Sequence, residues 1–275
     1  MIKNITLLII AILPVYLIGL YIYNKDTEKE SKKLLIKLFV FGIISCIPAI
    51  ILEITIGSFF GNEANMNIIT TFFYVFISIA FIEEICKWLF IYIISYNNKE
   101  FNHIYDAIVY CVFLSLGFAA FENIFYTLDG GFKIAFLRAI SAVPGHACFA
   151  IAMGNYIGIA KMQYFNNNKK AEKRNLILSI IIPIILHGLY DYCLFTENIV
   201  FLLIFLVILV GIYIYGIKTV KKVSKVPHNF LENFESLTIF KYCPQCGTKS
   251  IGKFCHKCGH DLSINKWLQY LTLLM

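Results

Sequence analysis

Long apolar runs separated by short polar segments make up most of the chain. Seven of these runs approach or exceed the roughly 20 residues that an α-helix needs to cross the hydrocarbon core of a bilayer. They cover residues 5–23, 34–56, 68–95, 104–126, 134–160, 176–195 and 198–217. The runs lack the alternation of barrel strands, and backbone groups within lipid must be paired inside their own segment. The pattern predicts an all-α polytopic membrane protein with about seven transmembrane helices.

The composition agrees with a chain embedded in a lipid bilayer. Of its 275 residues, 59% are hydrophobic and only 15% are charged, whereas soluble domains are about one quarter charged. The formal net charge is +7, but the lysines cluster between the apolar runs, as they do in the loops of membrane proteins. We therefore exclude a single soluble core and expect no nucleic-acid partner.

Basic residues occur in alternate loops, and this asymmetry predicts the orientation of the chain. Loops two, four and six contain only Lys133, whereas loops one, three and five contain Lys25, Lys29, Lys32, Lys33, Lys99, Lys161, Lys169, Lys170, Lys173 and Arg174. Short cytoplasmic loops retain Lys and Arg. We therefore predict a multi-pass protein of the cell membrane with its N-terminus outside and its C-terminal tail in the cytoplasm.

A cysteine-rich module is predicted near the C-terminus. Two CxxC pairs, each followed by glycine, supply four thiolates: Cys243, Cys246, Cys255 and Cys258. This set suits a structural zinc ion in a small zinc ribbon, and a reducing cytosol keeps such thiols free for metal. The ribbon is either a docking or regulatory module for a cytosolic protein partner or a purely structural module. The predicted divisions are a helical bundle over 1–222, a linker over 223–241, the ribbon over 242–262 and an apolar tail over 263–275.

The third apolar run contains three ionisable residues within five positions: Glu83, Glu84 and Lys87. Each such group costs about 2.5–3.5 kcal/mol at the centre of a membrane helix, so their presence requires an explanation. Glu83 and Lys87 stand four residues apart, on one helical face, and are predicted to pair. Glu84 is rotated by about 100° and is predicted not to share that geometry fully.

The next three runs carry further ionisable groups, namely Glu122, Arg138, His146, His187 and Asp191. Across the four runs, four carboxylates face two permanent cations. An excess of about two negative charges must be met by bound protons, protonated histidines or a divalent cation. We predict a functional site here, in a cavity that opens outward, and expect spans one, two and seven to act as scaffold.

Two other functions are compatible with these residues. Intramembrane carboxylates and histidines also form the proton or ion paths of transporters. A non-catalytic scaffold acting through its zinc ribbon is a third interpretation. Composition and spacing do not separate the three.

Four motifs, in order over residues 80–192, resemble the PrsW family of intramembrane proteases, which is related to the CAAX-processing and bacteriocin-processing membrane proteases. They are Glu83-Glu84-x-x-Lys87, Phe118-x-x-x-Glu122, Arg138 through Pro144-Gly145-His146, and His187-x-x-x-Asp191. The resemblance implies peptide-bond hydrolysis within or beside the membrane. Its implied substrates are membrane-anchored proteins such as anti-sigma factors. The cysteine-rich tail lies outside it.

Hydrolysis requires an activated water molecule and a stabilised oxyanion. With this resemblance, Glu83 or Glu84 is expected to act as general base, and Lys87 to hold the glutamate pair. Glu122 would help to hold the water. His187, oriented by Asp191, would stabilise the oxyanion, and His146 would be a second donor or a metal ligand.

A metal-dependent mechanism is the alternative. In that version Glu84, Glu122, His146 and His187 would bind a zinc ion and leave one position open for water. The chain has no HExxH helix of the kind that zinc proteases use, which favours the route without metal. Both routes remain open from the sequence.

Overall fold

The computed structural model describes residues 2–62, 65–196 and 198–225, together with the short pieces 241–242, 245–246, 248–250 and 257–258. The chain divides into two compact units, residues 1–227 and 228–275. The regular secondary structure described in the first unit is all helical. Its α-helices are α1 (Ile2–Lys25), α2 (Lys32–Gly57), α3 (Ile68–Phe73), α4 (Phe81–Ser95), α5 (Ile104–Ile140), α6 (Ala142–Phe165), α7 (Lys169–Phe195) and α8 (Ile199–Val223).

Six helical segments in the described residues are long and apolar enough to cross a membrane. They are Asn4–Lys25, Lys32–Phe60, Ile68–Ser95, Ile104–Phe165, Lys169–Phe195 and Ile199–Val223. The prediction of a multi-pass helical membrane protein is therefore confirmed. The count of seven spans stays a prediction, because one 62-residue segment contains both α5 and α6.

Helices α5 and α6 lie side by side and antiparallel. The hydroxyl of Ser115 donates to the carbonyl of His146 over 3.1 Å. Gly154, further along α6, lies against Ala107, which comes earlier in α5; a Cβ on Gly154 would be 2.6 Å from the Ala107 carbonyl oxygen. This small residue lets the two backbones approach closely, as is common between membrane helices.

The predicted fifth span, residues 134–160, is wrong in its first part. Helix α5 is broken at Gly131, whose φ of 70° is accessible to glycine at little cost. A second break follows at Ser141, and α6 begins at Ala142. Arg138 therefore belongs to the end of α5, and it does not share a helix with His146.

Helices α2 and α5 pack with their backbones in close contact. A Cβ on Gly42 would come within 1.9 Å of the Leu114 carbonyl oxygen, and one on Gly117 within 2.0 Å of the Phe39 carbonyl oxygen. A methyl group at either position would force the helices apart. This contact sets the distance between α2 and the half of α5 that carries Phe118 and Glu122.

The second unit contains two short described strands, β1 (Lys241–Tyr242) and β2 (Lys249–Ser250), which pair antiparallel. Cys246 lies in the turn between them, and its thiol donates to Thr248 Oγ1 over 3.3 Å. Cys243 and Cys255 lie outside the described residues. The structural zinc site, the ribbon and the limits of the linker and tail therefore stay predictions.

Candidate active site

Lys87 is the central cation of a buried cluster on α4. Its ammonium lies 2.9 Å from Glu83 Oε2 and 2.8 Å from Glu84 Oε1. The predicted pairing of Glu83 with Lys87 is confirmed. The expectation that Glu84 does not fully share this geometry is wrong, because residues three apart on a helix are also neighbours and Glu84 contacts the lysine as closely as Glu83 does. Both glutamates and the lysine are at most 6% exposed.

Lys87 also contacts α5 and α6. Its ammonium lies 3.3 Å from His146 Nδ1 on α6 and 4.1 Å from the centre of the Phe118 ring on α5. An ammonium can only donate, so Nδ1 of His146 is the acceptor. The aromatic ring of the FxxxE motif thus lies against the cation of the EExxK motif, in a cation–π contact.

Glu122 joins His146 to the end of α5. Its Oε2 lies 2.9 Å from His146 Nε2, and its Oε1 lies 2.9 Å from an amino nitrogen of Arg138. Because Nδ1 of His146 accepts from Lys87, Nε2 carries the hydrogen and donates to Glu122. The break at Gly131 returns the chain so that Arg138 meets Glu122, although sixteen positions separate them in the sequence.

Asn123 connects the Glu122–Arg138 ion pair to α1. Its Oδ1 accepts from Nε of Arg138 over 3.0 Å, and its Nδ2 donates to the Ala11 carbonyl over 2.9 Å. Asn123 is completely buried. The amide of Asn123 therefore links the guanidinium of Arg138, at the end of α5, to the backbone of α1.

His187 on α7 lies between two carboxylates. Its Nδ1 is 3.0 Å from Glu84 Oε1, and its Nε2 is 3.1 Å from Asp191 Oδ2. Two carboxylate partners require two N–H groups, so this arrangement suits a doubly protonated, cationic ring. The ring also stacks on Phe149, with 4.9 Å between ring centres.

A π-helical segment, Tyr74–Ala80, precedes the glutamate pair. It joins α3 to α4 without interrupting the helical rod. Such wide turns are rare and often accompany functional sites, because they shift the face that the following residues present. Here the segment ends three positions before Glu83.

A cavity of about 1000 Å³ borders this cluster. Its walls are largely apolar, and its acidic, basic and histidine lining residues are Glu53, Glu83, Glu122, Arg138, His146, His187 and Asp191. Glu84 and Lys87 are not among the described lining residues, and each is only 1% exposed. The adjacent glutamates thus differ in access: one faces the cavity, and the other holds Lys87 and His187.

Sequence reasoning missed two residues: it passed over Asn123, and it treated span two as scaffold although Glu53 of α2 lines the cavity. It counted Arg138 as a cation within a motif but gave it no specific role. A signal for Glu53 was present, because Cys46, Ala49, Glu53 and Ile56 follow the three-and-four spacing of one helical face.

Within the described residues, one group of four side chains could hold a metal ion. The candidate ligand atoms of Glu83, Glu84, His146 and His187 all lie within 4.8 Å of one another. This set contains Glu83 where the predicted set had Glu122. Carboxylate and imidazole donors suit zinc and similar ions, so the set fits in kind. The Lys87 ammonium, however, already contacts three of the four residues, and a bound ion would have to displace it.

Comparison with known proteins identifies the family. A profile described as "PrsW family intramembrane metalloprotease" matches residues 30–215. Protease PrsW of Oceanobacillus iheyensis is 38% identical over 200 residues, covering 72% of this chain and 88% of that protein. Protease PrsW of Bacillus subtilis is 33% identical over 209 residues, covering 75% of this chain and 90% of that protein.

A third relative, Protease PrsW of Geobacillus kaustophilus, is 34% identical over 179 residues, covering 65% of this chain and 75% of that protein. No solved structure matches the chain. The comparisons give no support to a transporter or a non-catalytic scaffold. The matched region, residues 30–215, contains α2 to α7 and therefore every charged group of the cluster. The chain belongs to the PrsW family of intramembrane proteases.

Proposed function

We propose that this protease cleaves membrane-anchored proteins with Glu83 as the general base. The observation that carries this assignment is the different access of the two adjacent glutamates. Glu83 lines the cavity, whereas Glu84 is not among the described lining residues and has its Oε1 shared by Lys87 and His187. A general base must reach the water that it deprotonates. We therefore assign proton transfer to Glu83 and a supporting role to Glu84.

In this mechanism Glu83 takes a proton from a cavity water as the oxygen attacks the scissile carbonyl. The same carboxyl group then gives the proton to the departing amine. Lys87 holds Glu83 in position from 2.9 Å. Glu122, fixed between Arg138 and His146, offers a second carboxylate along the cavity wall where the water can be held.

Two cations along the cavity would stabilise the oxyanion. Arg138 lines the cavity, and its guanidinium has more N–H groups than Glu122 and Asn123 engage. His187 contributes positive charge, but Glu84 and Asp191 already occupy both of its nitrogens. We assign the direct hydrogen bond to the oxyanion to Arg138. His187 either stabilises the oxyanion through its positive charge or releases Asp191 when substrate binds.

A divalent ion held by Glu83, Glu84, His146 and His187 would supply a polarised water at the same place. Metal content must be measured without the cysteines of the tail, because they would bind zinc independently. A chain ending at Tyr242 removes them. Cleavage that persists after treatment with a chelator supports the route without metal. One firmly bound ion per chain, lost in His187→Ala and needed for cleavage, contradicts it.

The topology that accompanies this mechanism has seven crossings, with α5 and α6 crossing separately. The N-terminus lies outside, the cysteine-rich unit lies in the cytoplasm, and the cavity opens on the outer side. The alternation of basic loops supports this orientation. Under this topology, a structural zinc ribbon lies where it could bind a cytosolic protein.

Comparison of membrane proteomes tests the proposed substrates. Cells carrying the wild-type protein are compared with cells carrying Glu83→Gln, which keeps the size of the side chain. We expect membrane-anchored proteins to accumulate uncut in the variant and their new N-termini to disappear. Asp129→Asn is the matched control, because this exposed carboxylate of α5 is not among the residues that line the cavity. Identical cleavage products in all three strains would contradict the proposal.

A further inference from the structure

Glu53 places a carboxylate in the cavity from a helix outside the four motifs. It lies on the face of α2 that also carries Cys46 and Ala49, which pack against Ile82 and Phe118. Four residues of the same helix line the cavity around it: Cys46, Ile50, Ile54 and Gly57. Glu53 is half-buried, and its charge interacts with those of Glu83, Glu122, Lys87 and His187.

Within the described residues, Glu53 differs from the other carboxylates of the cavity in having no partner. Glu83, Glu122 and Asp191 each lie within 3.1 Å of a lysine, arginine or histidine nitrogen. Among the described residues, no hydrogen bond or ion pair reaches Glu53. A carboxylate in a largely apolar cavity costs free energy unless it gains a cation or a proton.

The charge balance of the site leaves at least one negative charge uncompensated. Five carboxylates, Glu53, Glu83, Glu84, Glu122 and Asp191, face the permanent cations Lys87 and Arg138. His146 accepts from Lys87 and is neutral, so a cationic His187 adds one positive charge, whereas a divalent ion on neutral histidines would add two. In either case at least one carboxylate remains, and Glu53 is the one that lacks a partner in the described part of the chain.

We propose that Glu53 is a recognition site for a basic side chain, lysine or arginine, of the substrate. This proposal rests on the proposed function, in which a peptide occupies the cavity. The surroundings favour a basic side chain over a small cation, since Ile50 and Ile54 can cover its aliphatic stem while the charged end reaches the carboxylate. Glu53 is then a specificity residue, and it takes no part in proton transfer at the scissile bond.

The test uses the full-length protein in liposomes and a series of transmembrane peptides that differ at one position. Each peptide carries either lysine or the uncharged, similarly shaped norleucine at a position scanned along its length. Binding is measured on a Glu83→Gln background, so that the result does not depend on hydrolysis. At one position we expect lysine to bind at least about tenfold more tightly than norleucine, as hydrogen bonds to charged groups allow.

Substitutions at position 53 locate the origin of this preference. Glu53→Gln is expected to abolish it while leaving the affinity of the norleucine peptide unchanged. Glu53→Lys is expected to favour a peptide with glutamate at the same position. Asp129→Asn, the matched control, is expected to leave the preference intact.

Two results would overturn the proposal: no scanned position prefers lysine, or Glu53→Gln weakens lysine and norleucine peptides equally. The second result would indicate a general role in the cavity. Because binding is measured without catalysis, a wrong assignment of Glu83 as base would leave the lysine preference unchanged. The two proposals therefore fail separately.

Discussion

Two groups of buried carboxylates in the same helical bundle are compensated in opposite ways. The catalytic cluster surrounds Lys87 and Arg138, which lie 2.8–2.9 Å from their carboxylates. The second group, Asp26, Glu30 and Asp106, lies where α1 ends and α2 and α5 begin. Among the described residues, no lysine or arginine forms an ion pair with these three.

The second group relies on neutral donors. The hydroxyl of Tyr110 donates to Glu30 Oε2 over 2.6 Å, and the backbone amides of Asn102 and His103 donate to Asp106 Oδ2 over 2.9 and 2.7 Å. Burial and the neighbouring charge of Asp106 raise the pKa of Glu30 to about 8. The comparison indicates two ways to stabilise a buried carboxylate: an ion pair with a lysine or arginine of the protein, or protonation of the carboxylate itself. Only the first arrangement can order several ionic groups around a reacting water.

Removal of the central cation gives the largest expected effect. Lys87→Met leaves Glu83 and Glu84 buried without their shared partner, and breaking a buried ion pair in this way costs about 3–5 kcal/mol. We expect a marked fall in the thermal unfolding temperature in detergent, together with loss of cleavage.

The double variant Lys87→Met with Glu84→Gln provides the control for that loss. Removing one of the two unpaired buried charges is expected to recover part of the stability but none of the activity. If the single variant Lys87→Met unfolded at the wild-type temperature, the stability of the buried Glu83–Glu84 pair would not depend on Lys87, which contradicts this prediction.

Asn123→Ala is expected to have a smaller effect. It leaves the Arg138 Nε and the Ala11 carbonyl without their hydrogen bonds, at a cost of about 1–3 kcal/mol. Cleavage should fall roughly tenfold, because about 1.4 kcal/mol corresponds to a factor of ten in rate. Thermal unfolding and peptide cleavage measure the two effects.

The matched control is Asn155→Ala on α6. The Oδ1 of Asn155 is buried and has no hydrogen-bond partner in the described part of the chain. Its removal is expected to change stability little. Equal losses in the two variants would contradict the positioning role of Asn123.

Glu30→Gln is expected to have the smallest effect near neutral pH and a growing effect above it. A raised pKa in the folded state means that protonated Glu30 stabilises the fold. This contribution is complete below the ordinary pKa of 4.5 and is lost as the pH rises through about 8. Unfolding temperatures measured from pH 6 to 9 should therefore fall more steeply for the wild type than for Glu30→Gln. Parallel curves would contradict this assignment.

Local spacing predicted those parts of the site that lie on one helix. The pairs Glu83 with Lys87 and His187 with Asp191 stand four residues apart, and both pairs are in contact. Contacts between helices could not be predicted from the spacing of residues, because they depend on how the helices pack. The approach of His146 to Lys87 is an example. The approach of Arg138 to Glu122 depends instead on the break of α5 at Gly131.

Two further differences between the sequence predictions and the structure have clear physical causes. The span prediction treated residues 134–160 as one helix, because hydropathy does not detect the break at Ser141. The charge count stopped at the four motifs and so left out Glu53, which is carried by a helix whose other charged residues, Lys32, Lys33 and Lys37, all lie in its first two turns. In a membrane helix, a carboxylate on the packed face is itself a signal of function.

The most direct measurement compares one substitution in the two groups of carboxylates. Purified wild-type protein, Glu83→Gln and Glu30→Gln are placed in liposomes with a membrane-anchored substrate, and initial rates of cleavage are measured. We predict a fall of about 10²–10⁴-fold for Glu83→Gln, as expected for loss of a general base, and a nearly unchanged rate for Glu30→Gln at pH 7. Cleavage by Glu83→Gln at the wild-type rate would contradict the account.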